Sequence, residues 1–171
     1  MEPWERDGVK PTDDWSSLVF CRIYRNGMLP SVLEGSKFKV QPLGFIFVIV
    51  PSHRNPKYKM PGGHGRNGEN PLETARREMS GETGLELPLE RFTYVNREWK
   101  HHPAPHWSIL FTANAEETDL PWMHDTHVEN EGEVPKYLAR ELFDDFVRKD
   151  MILRPHLKRL EEAGLILLAG V

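Results

Sequence analysis

Two carboxylates, Glu78 and Glu82, stand four residues apart in a stretch that reads as an amphipathic helix. At about 100° per residue they project from one face, beside the apolar Ala75 and Met79. Like charges so placed repel by roughly a few tenths of a kcal/mol. A divalent cation turns that repulsion into binding, and Mg²⁺ prefers oxygen ligands of this kind. An isolated pair would read as a solvated helix face. What precedes it argues otherwise: Pro61-Gly62-Gly63-His64-Gly65-Arg66-Asn67-Gly68-Glu69 follows a strand end as a glycine-rich loop, able to turn tightly and to approach a ligand closely.

The spacing is specific. Gly63 is followed after five residues by Glu69, and after seven more by Arg77-Glu78-Met79-x-x-Glu82-x-Gly84-Leu85. This resembles the signature of the Nudix hydrolase superfamily, G-x5-E-x7-R-E-U-x-E-E-x-G-U with U a bulky aliphatic. Eight of its nine defined positions match when methionine counts as aliphatic. The resemblance implies an α/β/α sandwich with a mixed β-sheet. It also implies Mg²⁺- or Mn²⁺-dependent cleavage of a diphosphate linkage in a small nucleotide-derived substrate. Carried over by position, Glu78 and Glu82 are metal ligands and catalytic residues, and the carbonyl of Gly62 completes the shell. Gly63, Glu69, Arg77 and Gly84 are structural, with Glu69 and Arg77 tying loop to helix and orienting the carboxylates, because small misplacements weaken a metal site.

One position departs from the signature. Gly81 stands where the family has the first of two adjacent glutamates, removing a carboxylate and costing the helix about 1 kcal/mol relative to alanine. Glu69, Glu98 and the acidic run Glu129-Asn130-Glu131-Gly132-Glu133 are the candidate replacements. The resemblance also places a general base in a loop before a late helix, where it must lie within hydrogen-bond reach of the attacking water. Glu131, then Glu129, are the candidates for that role. The alternative reading is a nucleotide-binding or sensing module of the same fold whose catalysis is weakened.

Other residues are candidates for substrate contact. Arg54 and Lys59 precede the glycine-rich loop and suit phosphate. His106 and Trp107 end a histidine-rich loop, where an indole can stack on a base. The spacing of His101, His102 and His106 fits no recognised zinc pattern. A P-loop sequence and a nucleophile elbow are both absent.

The elements that must position these residues are legible in outline. Residues 18–24 and 44–50 are rich in β-branched and aromatic side chains, and 92–99 and 107–113 read as two further strands. The short apolar run from 44 suits a strand covered on both faces. Asn70 caps the acidic helix, Pro71 suits its first position, Glu73 completes a capping box and Gly84 stops it. A second helix is expected from Pro135, with Leu138, Leu142 and Phe146 on one face. A third is expected from Pro155 towards Gly164. Residues 1–15 lack periodicity and read as a partly ordered N-terminal arm, leaving 16–171 as a single domain.

The 171 residues suit one core. A net charge of −4 gives no global attraction for nucleic acid or anionic membrane, so neither is an expected partner. The single cysteine, Cys21, forms no internal disulfide, and no signal peptide or spanning segment is visible, which suggests a cytoplasmic protein. The apolar tail from Leu165 suits a last strand or a self-association surface, hence a homodimer.

Overall fold

The computed structural model describes residues 1–31, 40–123 and 132–167. A short helix, α1 (Pro3–Arg6), leads into β1 (Trp15–Tyr24), β2 (Gly44–Ile49), β3 (Gly62–His64) and α2 (Pro71–Thr83). There follow β4 (Phe92–Lys100), β5 (His106–Glu116), β6 (Val134–Ala139), α3 (Arg140–Arg148) and α4 (Arg154–Glu162). The sheet runs β4-β5-β1-β2-β6, with β3 also paired to β1. It is mixed: β1 and β5 are parallel along Trp15–Tyr24, and the other pairs are antiparallel.

One edge of β1 divides between two partners. Its first residues pair with β3 (Ser17↔Gly63, Leu18↔Gly62), while Cys21 to Ile23 pair with β2. The segment joining β2 to β3 rejoins the sheet where Val48 bridges Lys59. Gly62 and Gly63 are thus strand residues at the point where the sheet divides, rather than members of a free loop.

Both faces of the sheet are covered, as the α/β/α reading requires. Ala75 and Met79 of α2 pack with Val19, Cys21, Ile23, Ile109 and Phe111 on one face. Phe143 of α3 and Leu157 and Leu160 of α4 pack with Phe20, Phe45, Phe47 and Leu110 on the other. Strand β2 is buried through almost its whole length.

The helix expected from Pro135 is corrected: Val134–Ala139 is a strand, and the helix begins at Arg140. Pairing decides this, since Leu138 opposes Phe45 and Val48 opposes Pro135 in the ladder with β2. Strand β6 is an edge, where a proline without an N–H is tolerated. The buried face of α3 carries Phe143 rather than Leu142, which is 50% exposed. Residues 1–15 are also more ordered than an arm. Trp4 and Val9 belong to the core under α2, with Trp4 set edge-on against Tyr94 and Phe111. In the tail, Ile166 is buried against the α3–α4 face and Leu167 is exposed, and no strand forms through Leu167. Among the described residues, no helix is long and apolar enough to cross a membrane.

Candidate active site

Helix α2 is fixed at both ends by its own sequence. The Asn70 side chain accepts from the Glu73 N–H at 2.8 Å, and Glu73 Oε1 accepts from the Asn70 N–H at 3.1 Å. At the other end Gly84 adopts φ 80°, a left-handed cap that residues with a Cβ rarely take. The helix rests on β1 and β3: Ser17 Oγ donates to the Pro71 carbonyl at 2.8 Å, and Trp15 Nε1 donates to Thr74 Oγ1 at 3.1 Å.

Arg77 ties the segment ahead of the helix to the helix itself. Its Nε donates to Glu69 Oε2 at 2.6 Å, its Nη2 to the His64 carbonyl at 2.9 Å, and its Nη1 to Glu78 Oε1 at 2.8 Å. Glu69 also accepts from the Arg66 N–H and from Thr74 Oγ1. These donors, Arg77 first, hold the Glu69 carboxyl down to about 2. Gly63 lies against the Glu78 carboxylate so closely that a Cβ there would come within 2.5 Å of its Cδ.

Glu82 is 2% exposed and accepts from the Gly62 N–H at 2.9 Å. Its neighbour across the site is Glu133, the residue just before β6 and 6% exposed. Burial, followed by the adjoining Glu133 carboxylate, pushes the Glu82 carboxyl well above the ordinary range. Lys59 Nζ meets Glu133 Oε1 at 2.6 Å, while Glu133 Oε2 is buried with no hydrogen-bond partner. Two buried carboxylates side by side, one oxygen unsatisfied, form an arrangement that a proton or a cation must complete. Their hard oxygen donors suit Mg²⁺ or Mn²⁺. Among the described residues no group of three or more His, Cys, Asp or Glu side chains is gathered for a metal.

Among the described candidates for the carboxylate missing at Gly81, Glu133 is the one beside Glu82. Glu69 is held by Arg77, and Glu98 lies 3.6 Å from Arg159 and 3.2 Å from Lys100. Glu129 and Glu131 lie outside the described residues.

A cleft of about 440 Å³ opens beside Gly62 and Gly63. Its walls carry Lys59, Lys100 and Arg159 with His64, His102, His106 and His156, and no carboxylate lines it among the described residues. In a chain of net charge −4, that concentration of basic side chains suits an anion. His106 stands in the wall, its Nδ1 2.7 Å from the Ala104 carbonyl and its ring 5.7 Å from that of His64. Trp107 does not face this cleft. Its ring packs against Trp99 and under the Arg97 guanidinium, and its Nε1 donates to Asp13. Arg54 is exposed in the turn after β2, away from the cleft walls. Lys100, His156 and Arg159 were not legible as site residues. The one signal is that His156 and Arg159 stand three apart on one helix, and hence on one face.

A family model for the NUDIX domain matches residues 44–151, more than half of the chain, so the chain belongs to the Nudix family. Solved structures share its fold. A NUDIX-family hydrolase from Clostridium perfringens is 15% identical over 89% of this chain and 96% of its own, with a TM-score of 0.55. A C. elegans Ap4A hydrolase in a binary complex is 17% identical over 88% of this chain and 96% of its own, with a TM-score of 0.53. A MutT/nudix family protein from Enterococcus faecalis is 14% identical over 80% of this chain, with a TM-score of 0.53, and this chain spans 48% of its length. Comparison with curated proteins finds no match.

Proposed function

We propose that this chain is a divalent-metal-dependent hydrolase that cuts a phosphoric anhydride in a small nucleotide-derived substrate. The observation that carries the reading is the buried Glu82–Glu133 pair with its unpartnered Glu133 oxygen, set beside a cationic cleft. Glu82 and Glu133 would hold Mg²⁺ or Mn²⁺, with the Gly62 carbonyl and Glu78 as further donors. When bound, such an ion neutralises the anhydride oxygens and activates water for attack at phosphorus.

The remaining work falls to the chain's own groups. The Gly62 N–H fixes the Glu82 carboxylate, Lys59 fixes that of Glu133, and Arg77 fixes that of Glu78. Each constraint removes rotamer freedom from a carboxylate that would present its oxygens to the ion in one geometry. The cationic cleft draws in the anionic substrate. Glu131 and Glu129 remain the proposed bases.

The test is a panel of nucleoside diphosphate sugars, dinucleoside polyphosphates, ADP-ribose and nucleoside triphosphates, each with Mg²⁺ and with Mn²⁺. One class should turn over, and Glu82→Gln and Glu133→Gln should each lower the rate by about a hundredfold or more. Full turnover in either variant would remove that residue from the site. A readout independent of activity is thermal stability: Mn²⁺ should raise the melting temperature of the native chain but not of Glu133→Gln.

Gly81 favours a second reading, a nucleotide-binding module, because the signature carboxylate at that position is missing. That reading predicts saturable nucleotide binding without phosphate release.

A further inference from the structure

We propose that His156 and Arg159 of α4, with Lys100 at the end of β4, form a recognition subsite for a second anionic group that the substrate carries beyond the anhydride that is cut. The proposal rests on the hydrolase reading only in naming the molecule as a substrate.

Arg159 is 6% exposed, and its partners are mostly uncharged. Its Nη2 donates to the Ser108 carbonyl at 2.6 Å and to Asn96 Oδ1 at 3.1 Å, and its Nη1 donates to Ser108 Oγ. The nearest carboxylate is Glu98, 3.6 Å from Nε and half exposed. A buried guanidinium with so distant a counter-charge is costly, and an incoming anion would relieve that cost. Burial also draws the Arg159 pKa downward, in keeping with a cation short of its counterion.

His156 adds a donor of fixed sense. Its Nδ1 accepts from the Met60 N–H at 2.9 Å, so the neutral ring carries its proton on Nε2 and can only donate there. Burial, then Lys59, Arg159 and Lys100, lower its pKa to about 4, so this tautomer persists at neutral pH. Among the described residues Lys100 is paired with the partly exposed Glu98, at 3.2 Å, and stands at the rim. The three groups line the same cleft as Gly62 and Gly63. No carboxylate lines this cleft among the described residues, although Glu98 adjoins two of the three groups, and the N–H donors they carry are complementary to a phosphate or carboxylate.

Arg159 could serve only to pin α4 to the sheet, and the experiment separates that role from recognition. Titration calorimetry with tripolyphosphate and with citrate, both in EDTA, would be run on the native chain, Lys100→Gln, Arg159→Lys and Glu98→Gln. The expected result is saturable binding by the native chain, weakened about tenfold in Lys100→Gln at unchanged melting temperature and at least as much in Arg159→Lys, which also loses buried hydrogen bonds and melts lower. Glu98→Gln should bind more tightly, because it removes the carboxylate that competes for Arg159. A pinning role would not produce that gain. Preference for tripolyphosphate assigns the subsite to phosphate, and preference for citrate to carboxylate. No binding by the native chain, or equal affinity in all four proteins, overturns the proposal. Because EDTA excludes metal-dependent turnover from the calorimetry, retained binding there with no hydrolysis in the metal-loaded substrate panel would count against the hydrolase reading alone.

Discussion

Glu69 does not line the cleft, yet the geometry of the Glu78 carboxylate depends on it. It receives Arg77, the Arg66 N–H and Thr74, and through Arg77 it fixes both Glu78 and the His64 carbonyl. Its folded pKa of about 2 lies below the unfolded value near 4.5. The unfolded chain therefore binds the proton first, and the stabilisation is complete above about pH 4.5 and lost as the pH falls towards 2. Urea melts of the native chain and Glu69→Gln should differ most at neutral pH and converge only as the pH falls through about 2. A difference independent of pH would mean that the ion pair is not what Glu69 contributes. Gly63 makes a second test at this scale. A methyl there collides with the Glu78 carboxylate, so Gly63→Ala should cost about 1–3 kcal/mol in urea melts and displace Glu78. Wild-type stability in this variant would show that the carboxylate can yield. Spacing alone made the Gly63–Leu85 segment legible, because contacts within it are local. The carboxylate that adjoins Glu82 was legible only as one member of an acidic run, since 51 residues of chain separate Glu82 from Glu133.

At the scale of elements, local signals succeeded where the chain's own chemistry decides and failed where pairing decides. Helix α2 is specified by its capping box and its terminal glycine. Replacing Asn70 by alanine should accordingly cost about 0.5–2 kcal/mol in urea denaturation. Residues 134–148 behave differently. Leu138, Leu142 and Phe146 keep a helical spacing, but the hydrogen-bonding edge of β2 captures Val134–Ala139 as a strand. The helix then starts afresh at Arg140, and its buried face is reset to Phe143, which packs on Phe45 and Phe47. The two registers predict opposite mutational outcomes. With the observed one, Phe143→Ala should lose about 3–5 kcal/mol, whereas the half-exposed Leu142 should tolerate alanine within about 0.5 kcal/mol. Reversed magnitudes would restore the helical register from Pro135.

The whole molecule holds two apolar layers, one on each face of the sheet, and the layer under α2 is closed by the first nine residues. Trp4 and Val9 are too sparse to show periodicity, so residues 1–15 read as an arm even though Trp4 is 4% exposed. The indole lies edge-on to Tyr94 and Phe111, with ring centroids 6.1 and 5.9 Å away. Asp7 binds the Tyr94 hydroxyl, and its carbonyl accepts from Arg97 Nε at 2.7 Å. Arg97 in turn covers Trp107, and Trp107 is held by Asp13, so the first fifteen residues brace the edge strand β4 and its neighbour β5. A detachable arm could be trimmed without consequence. A closing layer could not, because removing a buried tryptophan typically costs about 3–5 kcal/mol. Against a usual stability of roughly 5–15 kcal/mol, that is a large share. Trp4→Ala should therefore shift the urea midpoint strongly downward in a single transition, and deletion of residues 1–9 should shift it at least as far. Because α2 rests on this same layer, Mn²⁺ should also lose part of its stabilising effect in the deletion. An unchanged midpoint in both proteins would return residues 1–9 to the role of an arm and leave the core to the sheet and helices alone.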